Sequence, residues 1–135
     1  MTYLVDANVL SEPTKPTPNV KVIEWLSAHE ADFVVDSIVL GELCMGMLTL
    51  PLGHKRTQLE QWFEAVVETI DCLPWDGAVS RCWAKLVVEL RRKGQKLPVL
   101  DGMIAATALA HGLTVATRNV RDFKRTGVNV VDPFA

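Results

Sequence analysis

Histidine and cysteine are scarce in this chain, three of each in 135 residues, and neither is arranged for chemistry. Cys44, Cys72 and Cys82 form no CxxC pair and are odd in number. That pattern points to reduced, buried thiols and away from a disulfide framework. His29, His54 and His111 are never four residues apart, which removes a common zinc spacing. Long apolar runs are missing as well. The longest is the four residues Met103 to Ala106, where a membrane helix needs roughly 20. The N-terminal Met1-Thr2-Tyr3-Leu4-Val5-Asp6 has no basic segment leading into an apolar one. No signal peptide is visible, so the expected location is the cytoplasm.

An excess of one charge is absent too. Fourteen Lys and Arg face sixteen Asp and Glu, a net charge of −2. The global basic signature of a nucleic-acid binder is missing, although local distribution matters more than the total. There is no GxxxxGK phosphate loop, no GxGxxG after the first strand and no GxSxG elbow. An aspartyl-nucleophile phosphatase would want a second Asp two residues after Asp6, and that position is Asn8. Internal repeats and low-complexity tracts are lacking. The 49% hydrophobic and 22% charged composition over 135 residues suits one globular domain spanning 1–135.

What remains is acid in selected places. Asp6 ends Tyr3-Leu4-Val5, and Glu42 comes soon after Phe33-Val34-Val35. Asp101 opens Met103-Ile104-Ala105-Ala106, and Asp122 follows Leu113-Thr114-Val115-Ala116-Thr117. Carboxylates beside core-forming segments suggest a gathered acidic pocket. Gathered carboxylates repel and raise one another's pKa unless a cation sits between them. Oxygen donors without His or Cys select hard ions, Mg²⁺ or Mn²⁺. Such ions neutralise a phosphodiester, lower the pKa of a bound water and steady the leaving oxygen. The pattern therefore points to a metal-dependent nuclease. Singly, Asp101 is equally well read as a helix-dipole charge and Asp6 as a turn cap.

The remaining pattern predicts an α/β fold with a mainly parallel sheet covered by helices on both sides. Strands are expected at 3–6, 33–36, 113–117 and 128–131. Asn19 is expected to cap a helix to about Glu30 with Val22, Ile23 and Leu26 on one face. Ser37 is expected to cap a helix from Ile38 to about Leu48. Its apolar surface, with Leu43, Cys44, Met45, Met47, Leu48, Leu50 and Leu52, suits deep burial or a partner surface equally. Apolar spacing predicts an amphipathic helix over 54–70, and Asp76 caps another that closes at Gly94. Asp101 is expected at the start of a helix from about Gly102 to His111. Two basic clusters stand out: Arg91-Arg92-Lys93 with Lys96, and Arg118, Arg121, Lys124 with Arg125. Each suits a solvated surface, and the second lies beside Asp122, where it could hold phosphates.

These residues resemble the PIN-domain nucleases, and more narrowly the VapC toxins of type II toxin–antitoxin pairs, including the branch that contains FitB. The resemblance rests on Leu4-Val5-Asp6-Ala7-Asn8-Val9-Leu10-Ser11-Glu12 and Ser37-Ile38-Val39-Leu40-Gly41-Glu42-Leu43. It continues through Asp101-Gly102-Met103-Ile104-Ala105-Ala106-Thr107-Ala108 and Ala116-Thr117-Arg118-Asn119-Val120-Arg121-Asp122-Phe123, and closes on 127–134. It implies a single-domain ribonuclease, commonly dimeric, restrained by a small DNA-binding antitoxin. By the same resemblance Asp6 and Asp101 are central metal ligands, and Glu42 completes the site and positions water. Some relatives carry an acid where this chain has Asn119, so the fourth position falls to Asp122 or Asn119. Asn8 and Thr117 orient carboxylates or water, and Arg118 and Arg121 contact RNA. Two alternatives remain: a catalytically weak partner subunit of a DNA-binding repressor complex, and a DNA nuclease, for which the chain offers little room.

Overall fold

The computed structural model describes residues 1–135 throughout. Strands alternate with helices from end to end: β1 (Tyr3–Val5), α1 (Ala7–Leu10), α2 (Val20–His29), β2 (Phe33–Asp36), α3 (Ser37–Leu48), α4 (His54–Ala65), β3 (Cys72–Leu73), α5 (Gly77–Arg92), α6 (Val99–His111), β4 (Thr114–Ala116), α7 (Val120–Lys124) and β5 (Asn129–Val131). Short 3₁₀ turns occupy Glu12–Thr14, Glu30–Asp32 and Val67–Thr69. The five strands form one sheet in the order β3-β2-β1-β4-β5, and every neighbouring pair is parallel. Parallel neighbours require crossovers, which the helices supply.

In β1, the adjacent Leu4 and Val5 point to opposite faces, and both are fully buried. The centre of the sheet is therefore covered on both sides, as expected for parallel strands. Val35 of β2 and Val115 of β4 extend the same core, which Val9, Val39, Ile104, Ala105, Ala108 and Phe123 reach from the helices. Residues Ile104 to Ala108 of α6 are all buried, so this helix is internal rather than amphipathic. Helix α5 packs along it, and Leu86 and Leu90 of α5 are buried. Gly112 ends α6 with φ 65°, a left-handed C-cap that glycine adopts without strain. No helix is long and apolar enough to cross a membrane.

Several boundaries differ from the sequence expectation. Asp36, not Ser37, caps α3: its Oδ1 accepts from Val39 N at 2.8 Å, and Ser37 is already helical. The Ser37 hydroxyl donates instead to Leu73 O at 3.2 Å. The helix predicted over 54–70 ends at Ala65, because Val66 (φ −116°, ψ −60°) breaks regular geometry before the chain turns toward β3. In α2, Ile23 is exposed. The inward face is formed by Val22, Trp25 and Leu26, as expected apart from Ile23, and His29 stacks on the Trp25 ring at 4.5 Å. Of the second basic cluster, Arg121 and Lys124 lie on α7, Arg125 is its C-cap, and Arg118 stands in the turn before it. The apolar surface of α3 divides: Leu43 is buried, whereas Met45, Leu48 and, beyond the helix, Leu52 (85% exposed) face solvent.

Candidate acidic site at the sheet switch point

The chain leaves β1 toward β2 on one side, then returns to place β4 on the other. Such a switch point opens a crevice beyond the carboxyl ends of the strands, where open α/β sheets bind ligands. Asp6 follows β1 at this point and is only 4% exposed. Its Oδ1 caps α1 by accepting from Ala7 N at 2.8 Å. Its Oδ2 accepts from the Thr117 hydroxyl at 2.7 Å and from Asn8 Nδ2 at 3.4 Å. Thr117 follows β4, and its backbone N–H donates to Val131 O at 3.0 Å, so it is fixed to β5 as well. Its Oγ1 also accepts from Asn119 N at 3.0 Å. Asn8 Oδ1 accepts from Arg118 N at 3.2 Å, completing a lattice between the ends of β1 and β4.

Asp101 sits in the first turn of α6 and is 8% exposed. Glu42, in the middle of α3, is half-buried, and its Oε1 is buried without a hydrogen-bond partner. Burial, then the charges of Asp6, Asp101 and Asp36, push the Glu42 carboxyl from 4.5 to about 7. Burial, then Asp6 and Asp122, push Asp101 from 3.8 to about 6. Burial also raises Asp6, against the lowering effect of the Thr117 hydroxyl and the Ala7 amide. Asp6, Glu42 and Asp101 thus lie within one another's electrostatic reach. Asp122, on α7, acts on Asp101, while Asn119 is exposed on the loop before α7. The ion pairs of the structure, Lys15–Glu12 and Arg56–Glu60, lie elsewhere, so no lysine or arginine neutralises the cluster.

One carboxylate escaped the sequence reading. Asp36 is the last residue of β2, as Asp6 is the first after β1, and it is 1% exposed. The register pairs Tyr3 with Phe33 and Leu4 with Val34, so the same offset carried to the strand ends sets Asp36 beside Asp6. The signal was present in Phe33-Val34-Val35-Asp36, an apolar strand closing on an acid. Burial raises the Asp36 carboxyl, with Asp6 adding to the rise and the Val39 amide opposing it. The Thr107 hydroxyl also lowers it, yet that hydroxyl's own bond runs to Met103 O at 3.4 Å, and Asp36 Oδ2 has no partner.

The donor set is all oxygen, which suits Mg²⁺ or Mn²⁺ and not zinc. No three acidic, cysteine or histidine side chains form a ready-made cage. Mg²⁺ commonly takes one or two carboxylates and keeps several waters, so a complete protein cage is not required. The unpaired, buried Glu42 Oε1 and the mutual repulsion of the acids fit a site that receives a cation.

Basic residues border one side. Arg118 and Arg121 are exposed, and the Arg118 guanidinium lies 4.6 Å from the centre of the Phe134 ring. Arg125 Nη1 donates to Lys96 O at 3.3 Å, which joins the two basic clusters that sequence kept apart. Away from the acids, a groove of about 640 Å³ runs between α2 and the end of α4, lined by Leu10, Ile23, Leu26, Phe33, Trp62 and Ile70.

The PIN domain family model matches residues 3–129. Toxin FitB of Neisseria gonorrhoeae is 36% identical over 135 residues, covering 97% of each chain. VapC ribonuclease Y4jK of Sinorhizobium fredii is 33% identical over 135 residues, covering 97% of this chain and 96% of its own. Among solved structures, that of FitAB bound to an IR36 DNA fragment superposes with a TM-score of 0.93 at 33% identity, covering 99% of this chain and 96% of that one. A match of this extent, on a sheet whose switch point carries the acidic site, shows that the chain belongs to the PIN-domain family, beside proteins of the VapC and FitB type.

Proposed function

We propose that this protein is a Mg²⁺- or Mn²⁺-dependent endoribonuclease and the toxin of a type II toxin–antitoxin pair. The observation that carries the reading is the uncompensated acidic cluster at the switch point, with Asp6 held by Thr117 at 2.7 Å. Its relatives named as a VapC ribonuclease and as toxin FitB support the same reading. Asp6 and Asp101 would hold the cation, and Asp122 or Asn119 would complete its surroundings. A bound ion would supply charge neutralisation at the phosphate and a more acidic water. Thr117 and Asn8 keep the Asp6 carboxylate in one orientation. Glu42 would accept a proton from the attacking water as general base. Arg118 and Arg121, both exposed, would take RNA phosphates.

A small DNA-binding antitoxin is the proposed partner, as the FitAB complex on DNA suggests by analogy. The exposed Met45, Leu48 and Leu52 offer apolar surface for such a partner or for a second copy in a homodimer. The same analogy favours a second reading, a catalytically weak subunit of a DNA-binding complex. The completeness of the acidic set weighs against a decayed site. Induced expression in a bacterial host separates the two. Growth arrest by the wild type, with normal growth on equal expression of Asp6→Asn or Asp101→Asn, is the expected outcome. Equal arrest by both variants would exclude the catalytic reading.

A further inference from the structure

Asp36 carries more charge than its local role needs. Its Oδ1 caps α3 through Val39 N, a task that serine or asparagine performs equally well. A carboxylate adds only a second oxygen and a negative charge. Both lie in a side chain that is 1% exposed, and the second oxygen has no partner. An uncompensated buried charge is strongly unfavourable, and more so beside Asp6, its neighbour in the extended register. Nothing cationic in the chain offsets it, since the ion pairs lie elsewhere. Asp36 also acts on Glu42, whose Oε1 is likewise buried and unpaired. The sheet thus presents a row of strand ends, Asp36, Asp6 and Thr117, of which only Thr117 is a donor, giving its hydroxyl hydrogen to Asp6.

We infer that Asp36 is a positioning residue for the cation site: from its buried place beside Asp6 it supplies negative charge that tightens divalent-ion binding, while its other oxygen fixes the helix that presents Glu42. The inference rests on the metal-dependent reading above and adds a fifth acid to it. A structural cap alone would leave ion affinity unchanged when the charge is removed but the cap retained.

The test uses the full chain with Asp36→Asn and Asp36→Ser, both of which keep a capping oxygen. Mg²⁺ and Mn²⁺ affinity is measured by calorimetry, and thermal stability is recorded in chelator. Both variants are expected to bind Mg²⁺ about 10-fold more weakly than wild type, the usual scale for a group that supports metal ligands. They should lose no stability in chelator, and saturating Mg²⁺ should restore most RNA cleavage, unlike Asp6→Asn. Wild-type affinity in both variants would overturn the role of Asp36 and leave the proposed function standing. Failure of the wild type itself to bind either ion would overturn both.

Discussion

The clustering of acids predicts that the metal-free protein works against its own stability, and Glu42→Gln measures by how much. The Glu42 carboxyl lies at about 7 in the folded chain against 4.5 for an ordinary glutamate. A folded-state value above the unfolded one means the native state holds the proton more tightly. The stabilisation this gives is fully present below about pH 4.5 and is lost as pH rises through about 7. At face value such a displacement is worth about 3 kcal/mol. Glu42 is only half-buried, so solvent screening reduces this to on the order of 1 kcal/mol. For 135 residues, with roughly 2 cal/mol/K of unfolding entropy each, that becomes a shift in Tm of about 3–4 °C. Scanning calorimetry in chelator at pH 5 and pH 8 would read it. Glu42→Gln should melt higher than wild type at pH 8 and show a shallower loss between the two pH values. Asp101, displaced to about 6 in the same direction, leaves a residual slope. Added Mg²⁺ should stabilise wild type more than the variant. A Glu42→Gln protein no more stable than wild type at pH 8 in chelator would refute the argument that the acids repel without compensation.

Further outcomes follow from single contacts. Thr117→Val keeps the shape and removes the 2.7 Å bond to Asp6. It should cost about 2 kcal/mol in urea denaturation, the scale of a hydrogen bond to a charged group, and lower cleavage by about 10-fold at subsaturating Mg²⁺. Arg121→Ala, on an exposed position of α7, should weaken RNA binding and reduce the salt slope of log Kd by about 1 while leaving Tm unchanged. Ile104→Ala, one turn beyond Asp101 and fully buried, should destabilise by about 2–5 kcal/mol in the same urea assay.

Elements with a local cause were legible in the sequence. The Asn19 side chain accepts from Lys21 N at 2.9 Å and that of Asp76 from Val79 N at 3.0 Å, so α2 and α5 begin where their caps predicted. Strands β1, β2, β4 and β5 are apolar segments set off by turn residues, and they were found to within about two residues. Strand β3 was missed because two residues, Cys72 and Leu73, show no alternation; only pairing with Val35 and Asp36 makes them a strand. The early end of α4 depends on the return path to β3, a tertiary demand that local periodicity does not record. Asp6 and Asp101 stood out as acids beside apolar segments. Asp36 was hidden because Ser37 looked like the cap, and its nearness to Asp6 exists only once β1 and β2 are paired. The union of the basic clusters through Arg125 and Lys96 also needs the fold, since 29 residues separate them.

The most direct measurement is cleavage of total cellular RNA by purified, antitoxin-free protein with Mg²⁺, with Mn²⁺ and with chelator, beside an Asp101→Asn variant shown to be folded. Discrete fragments that require the metal and disappear in the variant are the predicted result. Intact RNA from the folded wild type under both metals, or equal cleavage by Asp101→Asn, would contradict a metal-dependent nuclease built on this acidic site.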